Sequence, residues 1–128
     1  MSTQSIGLSD ELHEYLLSVS LREPEVMQRL RAETAEHPQS NMQIAPEQGQ
    51  FLRLLVQLIG ARRTLEVGVF TGYSALAVAS VLPPTGTLMA CDVSEEYTEV
   101  ERRYWAEAGA DDRIALRIAP AEATPAAL

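Results

Sequence analysis

Apolar positions in the first forty residues recur at helical spacing, whereas later in the chain short apolar runs alternate with amphipathic stretches. That change of period predicts an N-terminal helical extension, residues 1–45, on an α/β domain covering residues 46–128. Ser9 is placed to cap a helix with Leu12, Leu16 and Val19 on one face. Pro24 opens a second helix carrying Val26, Met27 and Leu30, and both helices are expected to cover an apolar surface. The run His37-Pro38-Gln39-Ser40-Asn41 breaks the pattern as a loop that can serve as a hinge.

A third helix is predicted over 46–59, with Phe51, Leu54, Leu55 and Leu58 at helical spacing and Gly60 to end it. Thr64-Leu65-Glu66-Val67 then reads as a short apolar strand, Gly68 to Gly72 as a glycine-bounded turn, and 73–81 as an alanine-rich helix stopped by Pro83 and Pro84. A second strand over 87–91 leads to Asp92, a helix over 95–108 closes at Gly109, and 114–118 alternates as a third strand. Two crossovers of this length predict parallel strands joined right-handedly, with the first two adjacent.

The carboxyl end of the first strand is where an open parallel sheet binds its ligand. Gly68 frees the backbone to turn and approach that ligand, and Gly72 lets the next helix start close to the strand. A dinucleotide fold requires Gly-x-Gly-x-x-Gly, but Phe70 stands at the middle glycine, which argues against a pyrophosphate. Glu66 at the mouth of the turn repels phosphate and suits a cationic ligand. Asp92, twenty positions beyond Gly72, can accept hydrogen bonds from vicinal ribose hydroxyls, although an ordinary helix cap is a competing role. A ribose, no phosphate and a positive centre together describe S-adenosylmethionine.

Across residues 42–121, and above all in Met42-Gln43-Ile44-Ala45-Pro46-Glu47-Gln48-Gly49-Gln50 and Glu66-Val67-Gly68-Val69-Phe70-Thr71-Gly72-Tyr73-Ser74, the chain resembles class I O-methyltransferases of the caffeoyl-CoA and catechol type. The resemblance implies a Rossmann-like sheet. It implies that Glu66, Gly68 and Val69 line the methionine end of S-adenosylmethionine, that Ser74 bonds its carboxylate, that Asp92 holds the ribose and that the backbone of Ala121 meets the adenine. Ile44 lies in the segment that closes over the cofactor and contributes its backbone. A divalent cation, usually magnesium, is implied too, but its two aspartates and asparagine follow the position of Leu128, as do the later strands, so no metal ligand is assigned here and the chain is expected to be partial. A homodimer and a small phenolic or catechol-like acceptor complete what the resemblance implies. Two other outcomes stay open: a binding module that captures the cofactor without catalysis, and a dehydrogenase.

Composition narrows the partners. Ten Lys+Arg against eighteen Asp+Glu give a net charge of −8, which disfavours nucleic acid, anionic membranes and a CoA thioester acceptor. Every basic residue is arginine, so phosphate-loop, Schiff-base and general-base lysines are all excluded. Cys91 alone cannot form an internal disulfide or a thiolate zinc cage, and no run approaches the roughly 20 apolar residues of a bilayer span, so a cytoplasmic protein is expected. Cys91 is read as buried filler, and His13 and His37 as surface residues. With Leu65 and Val67 on a strand without a partner at its far edge, that edge is expected to be exposed.

Overall fold

A computed structural model describes residues 5–123. Three helices come first: α1 (Asp10–Ser20), α2 (Glu25–Ala35) and α3 (Pro46–Ile59). The sheet follows as β1 (Arg63–Val67), α4 (Tyr73–Ala79), β2 (Thr87–Asp92), α5 (Thr98–Glu107) and β3 (Ile114–Ile118). Single 3-10 turns lie at Ser40–Met42, Asp111–Arg113 and Ala121–Ala123. The strands pair in parallel in the order β1-β2-β3, with Val67 opposite Cys91 and Cys91 opposite Arg117. All three carboxyl ends therefore lie along one side.

The helix signals act as their chemistry requires. Ser9 accepts from the Leu12 amide, Pro46 fills the first turn of α3, and Gly60 ends that helix at φ 61°. α4 spans one buried face after another because its alanines let α2, α3 and β2 approach closely. Met27 and Leu30 of α2 join one core with Leu76, Leu88, Tyr104 and Trp105, so the second helix of the predicted extension is packed into the sheet unit. Thr34 and Thr71 share a buried hydroxyl hydrogen bond of 2.8 Å, and Arg29–Glu107 and Arg103–Glu33 ion pairs tie α2 to α5.

Several expectations are corrected. α1 buries His13 rather than its apolar stripe, and Leu12 and Val19 stay exposed. His13 is not a surface residue: its Nε2 lies 3.0 Å from Glu47 Oε1, where the imidazole has a partner to offset desolvation. His37 is half-buried between Phe70 and Tyr97, with ring centroids 5.5 and 5.2 Å away. The stripe of Phe51, Leu54, Leu55 and Leu58 on α3 is likewise open, whereas the exposure of Leu65 and Val67 is as expected for β1, whose outer edge has no partner among the described residues. Two helices are shorter than predicted. α4 ends at Ala79, and α5 begins only at Thr98, because the Asp92 and Ser94 side chains hold the preceding amides in turns.

Candidate functional site

Beyond Val67 the chain turns through Gly68 at φ 84°, a backbone region that glycine enters without steric cost. A Cβ built there would meet nothing within 4 Å, so Gly68 offers open space at the carboxyl end of β1. Gly72 also sits at φ 84°, for a different reason than its sequence suggests: a Cβ would lie 2.7 Å from Trp105 Nε1 and 2.8 Å from Glu101 Cβ. What Gly72 admits is α5, and Trp105 Nε1 donates to its carbonyl at 3.1 Å.

Phe70 occupies the left-handed region as well, at φ 54°. For a bulky side chain this conformation costs about 1–3 kcal/mol. Its ring is buried edge-on against Tyr97 at 4.8 Å and against His37, which offsets that cost. The third position of the turn thus keeps the backbone of a glycine while carrying a buried aromatic ring.

Asp92 organises the mouth. One carboxylate oxygen, Oδ2, accepts from the amides of Val69 at 2.7 Å and Phe70 at 3.0 Å; the other accepts from Val93 at 2.7 Å and Ser94 at 3.1 Å. Burial alone would raise its pKa, but the four amides outweigh that and hold the carboxyl below its usual range. Four amides occupy the roughly four acceptor sites of the carboxylate, so Asp92 is committed here to bracing the loop, and holding a diol requires some of these sites to be shared or exchanged.

Glu66 is half-buried and receives the Ser74 hydroxyl on Oε1. Burial, reinforced by the negative Asp92, pushes its pKa up to about 7 against the opposing Ser74 bond. Ser74 is therefore engaged with Glu66 rather than standing clear for a ligand carboxylate. Ile44, buried, lines one cavity with Met42, Gln43, Gly68, Val69, Phe70, Thr71, Tyr73 and Ser74. Ala121 is exposed just past the carboxyl end of β3, where the Ala119 amide donates to the Asp92 carbonyl at 2.8 Å.

The structure thus gathers Ile44, Gly68, Val69 and Ser74 around one space, couples Glu66 and Asp92 to it through hydrogen bonds, and sets Ala121 at the same sheet end. Sequence reasoning missed His37, Tyr97 and Glu101. The two rings lie 60 positions apart in sequence, and Glu101 hides in a run of charges that reads as a solvated helix face. Among the described residues no three His, Cys, Asp or Glu side chains are grouped to hold a metal ion, so they do not fit the cation that the resemblance implies. Among them, too, no helix is long and apolar enough to cross a membrane.

Parallel strands with crossover helices, and a glycine-opened turn after the first strand, define a Rossmann-like α/β unit. The comparisons narrow this further. A family model described as O-methyltransferase matches residues 17–128, and the chain belongs to that family. It is 44% identical over 120 residues to caffeoyl-CoA O-methyltransferase 1 of Zea mays, covering 92% of this chain and 46% of the relative. Caffeoyl-CoA O-methyltransferase of Eucalyptus gunnii gives 44% identity, with 92% and 48% covered. Among solved structures, the O-methyltransferase of Bacillus cereus in complex with SAH superposes with TM-score 0.76 at 29% identity, covering 84% of this chain and 49% of the other. The SAM-bound TomG of Streptomyces achromogenes superposes with TM-score 0.73 at 30% identity, with 83% and 48% covered. The chain spans about half the length of the relatives it matches.

Proposed function

We propose that this chain supplies the S-adenosylmethionine-binding part of an O-methyltransferase that acts on a hydroxyl of a small phenolic or catechol-like molecule. The observation that carries the reading is the convergence of open Gly68, the amide-braced Asp92 and the Glu66–Ser74 pair at one sheet end. The similar O-methyltransferase structures that hold SAM or SAH support it.

The cofactor supplies a methyl group on a sulfonium, an electrophile whose transfer leaves an uncharged thioether. The residues here bind and orient it. Asp92 accepts from the ribose hydroxyls by sharing or exchanging acceptor sites that its four amides hold in this structure. Glu66 faces the ammonium and sulfonium end, where a cation favours its ionised form. Gly68 leaves room for the ligand, and Ile44 and Met42 cover it, excluding water from a reaction whose charge is spread in the transition state. The backbone of Ala121 closes the adenine end.

Calorimetry with S-adenosylhomocysteine on this chain tests the reading. Saturable binding, weakened in Asp92→Ala, is expected; tighter binding of NADH would reject it in favour of a dehydrogenase. Transfer to a catechol and to a phenol borne on CoA, assayed side by side, separates the acceptor classes: the maize relative is named for caffeoyl-CoA, whereas a charge of −8 opposes that acceptor here. A chain that binds cofactor and methylates neither is the non-catalytic alternative.

A further inference from the structure

A cavity of about 390 Å³ opens between α1 and α2. Its apolar walls are Leu17 of α1, Ala32 and Ala35 of α2, and Ile44 and Pro46 at the approach to α3. His13, Arg31, Ser40 and Gln43 supply its polar groups, and among the described residues no acidic side chain lines it, in a chain of net charge −8. Two of these groups are already matched: His13 Nε2 lies 3.0 Å from Glu47, and Arg31 forks onto the Glu23 carboxylate at 3.0 and 2.8 Å. Gln43 is not. Its backbone amide donates to the Ser40 carbonyl at 3.1 Å, but the side-chain oxygen Oε1 has no hydrogen-bond partner among the described residues, on a residue only 5% exposed. A buried acceptor left in this state is costly, and a ligand that brings it an O–H relieves the cost.

The lining selects the ligand. An arginine already forked to Glu23 calls for no further anion, and without a lining acid the cavity offers nothing to a cation. Small side chains on α2, with Leu17 and Pro46, suit a planar apolar body. We propose that this cavity is an effector site for a small neutral phenol, whose ring packs on Leu17, Ala32, Ala35 and Pro46 and whose hydroxyl donates to Gln43 Oε1. The cavity shares Gln43 and Ile44 with the cleft beside Gly68, and no residue of the Gly68–Gly72 turn lines it. A phenol held here is therefore separate from the methyl-transfer position, and its presence is felt at the cleft through the segment that forms a wall of both spaces. That coupling rests on the cleft being the S-adenosylmethionine site; the phenol site itself does not.

The test is a titration of the isotope-labelled chain with phenol and with anisole, which keeps the ring and lacks the donor, followed through backbone amide NMR shifts. Saturable shifts are expected at Leu17, Ala32 and Gln43, with anisole about tenfold weaker for want of the hydrogen bond. Gln43→Met keeps the length of the side chain and removes the acceptor, so the two affinities should converge. Ala32→Phe fills the cavity from an exposed position and should block both ligands while the remaining shifts stay native. Saturating phenol should change S-adenosylhomocysteine affinity several-fold in the wild-type chain and not in Ala32→Phe. Equal affinities for phenol and anisole in wild type overturn the proposal, as do the absence of saturable shifts, shifts that gather on Gly68, Val69 and Ser74 instead, or phenol binding that survives Ala32→Phe. Phenol bound at the lining residues of a chain that takes no S-adenosylhomocysteine keeps this site and rejects the cofactor reading; S-adenosylhomocysteine binding indifferent to phenol overturns the effector role.

Discussion

Asp92 Oδ2 accepts the amide proton of Val69 at 2.7 Å, so the tip of the second strand fixes the turn that follows the first. The same carboxylate braces Phe70, Val93 and Ser94, which makes it a keystone of the apo cleft before any ligand is considered. Asp92→Ala should lower unfolding free energy by about 2–4 kcal/mol, since it strands buried amides, and should weaken S-adenosylhomocysteine binding. Its pKa is depressed, so the stability it adds is present above the ordinary carboxylate range and is lost as pH falls through the lowered folded value. Denaturant titrations from neutral to acid pH should show wild type and variant converging; a constant gap down to the lowest pH would remove this role.

Phe70 sets its φ of 54° against a buried aromatic contact. Phe70→Ala loses the ring and keeps the backbone penalty, a destabilisation of about 3 kcal/mol. Phe70→Gly loses the same ring but relieves the backbone, so it should be the milder variant by about 1 kcal/mol, the reverse of the usual order for these residues. Chemical denaturation of the pair decides this. Alanine proving the milder replacement would mean that the turn relaxes out of the left-handed region.

How much of this was legible in the chain depended on whether the signal was local. The limits of α3 follow from Pro46 and Gly60, whose effects reach only a residue or two, and β3 was readable from its alternation. Asp92 was readable as ribose ligand or cap, and the geometry shows the bracing role in full, with an amide on each of its acceptor sites. The burial of His13 was not readable, because its partner Glu47 is 34 residues away and lies in another helix. Glu101 was hidden for the opposite reason: Glu99, Arg102 and Arg103 around it do point outward, so its neighbours advertise a solvated face.

Glu66 ties apo stability to pH. Its folded pKa of about 7 lies above the ordinary glutamate value, so the contribution is full below that ordinary value and is lost as pH rises through 7. Glu66→Gln, which stays neutral at every pH, should match wild type near pH 5 and exceed it near pH 8 by of order 1 kcal/mol after screening at this half-buried position. Ser74→Ala removes the hydroxyl that favours the charged form and should shift the same transition upward. Thermal unfolding across this range reports both; a Glu66→Gln curve parallel to wild type throughout would show that the carboxyl titrates normally.

The two positive-φ glycines of the turn should respond to alanine in opposite ways. At Gly68 a Cβ enters open space, so Gly68→Ala bears only the backbone penalty of about 1–2 kcal/mol, yet it occupies the space proposed for the ligand. The folded variant should therefore lose most S-adenosylhomocysteine affinity. At Gly72 a Cβ would stand 2.7 Å from Trp105 Nε1 and 2.8 Å from Glu101 Cβ. Neither atom is the loose end of a flexible chain: the indole is buried and hydrogen-bonded to the Gly72 carbonyl, and the other is the root of its side chain. Gly72→Ala then adds overpacking of about 1–3 kcal/mol to the same backbone penalty and should move α5 or unfold the chain. Trp105 fluorescence reports the displacement directly. The pattern expected is a native emission maximum with lost binding for Gly68→Ala and a shifted maximum for Gly72→Ala; the reverse assignment would mean that Gly72, not Gly68, faces the ligand.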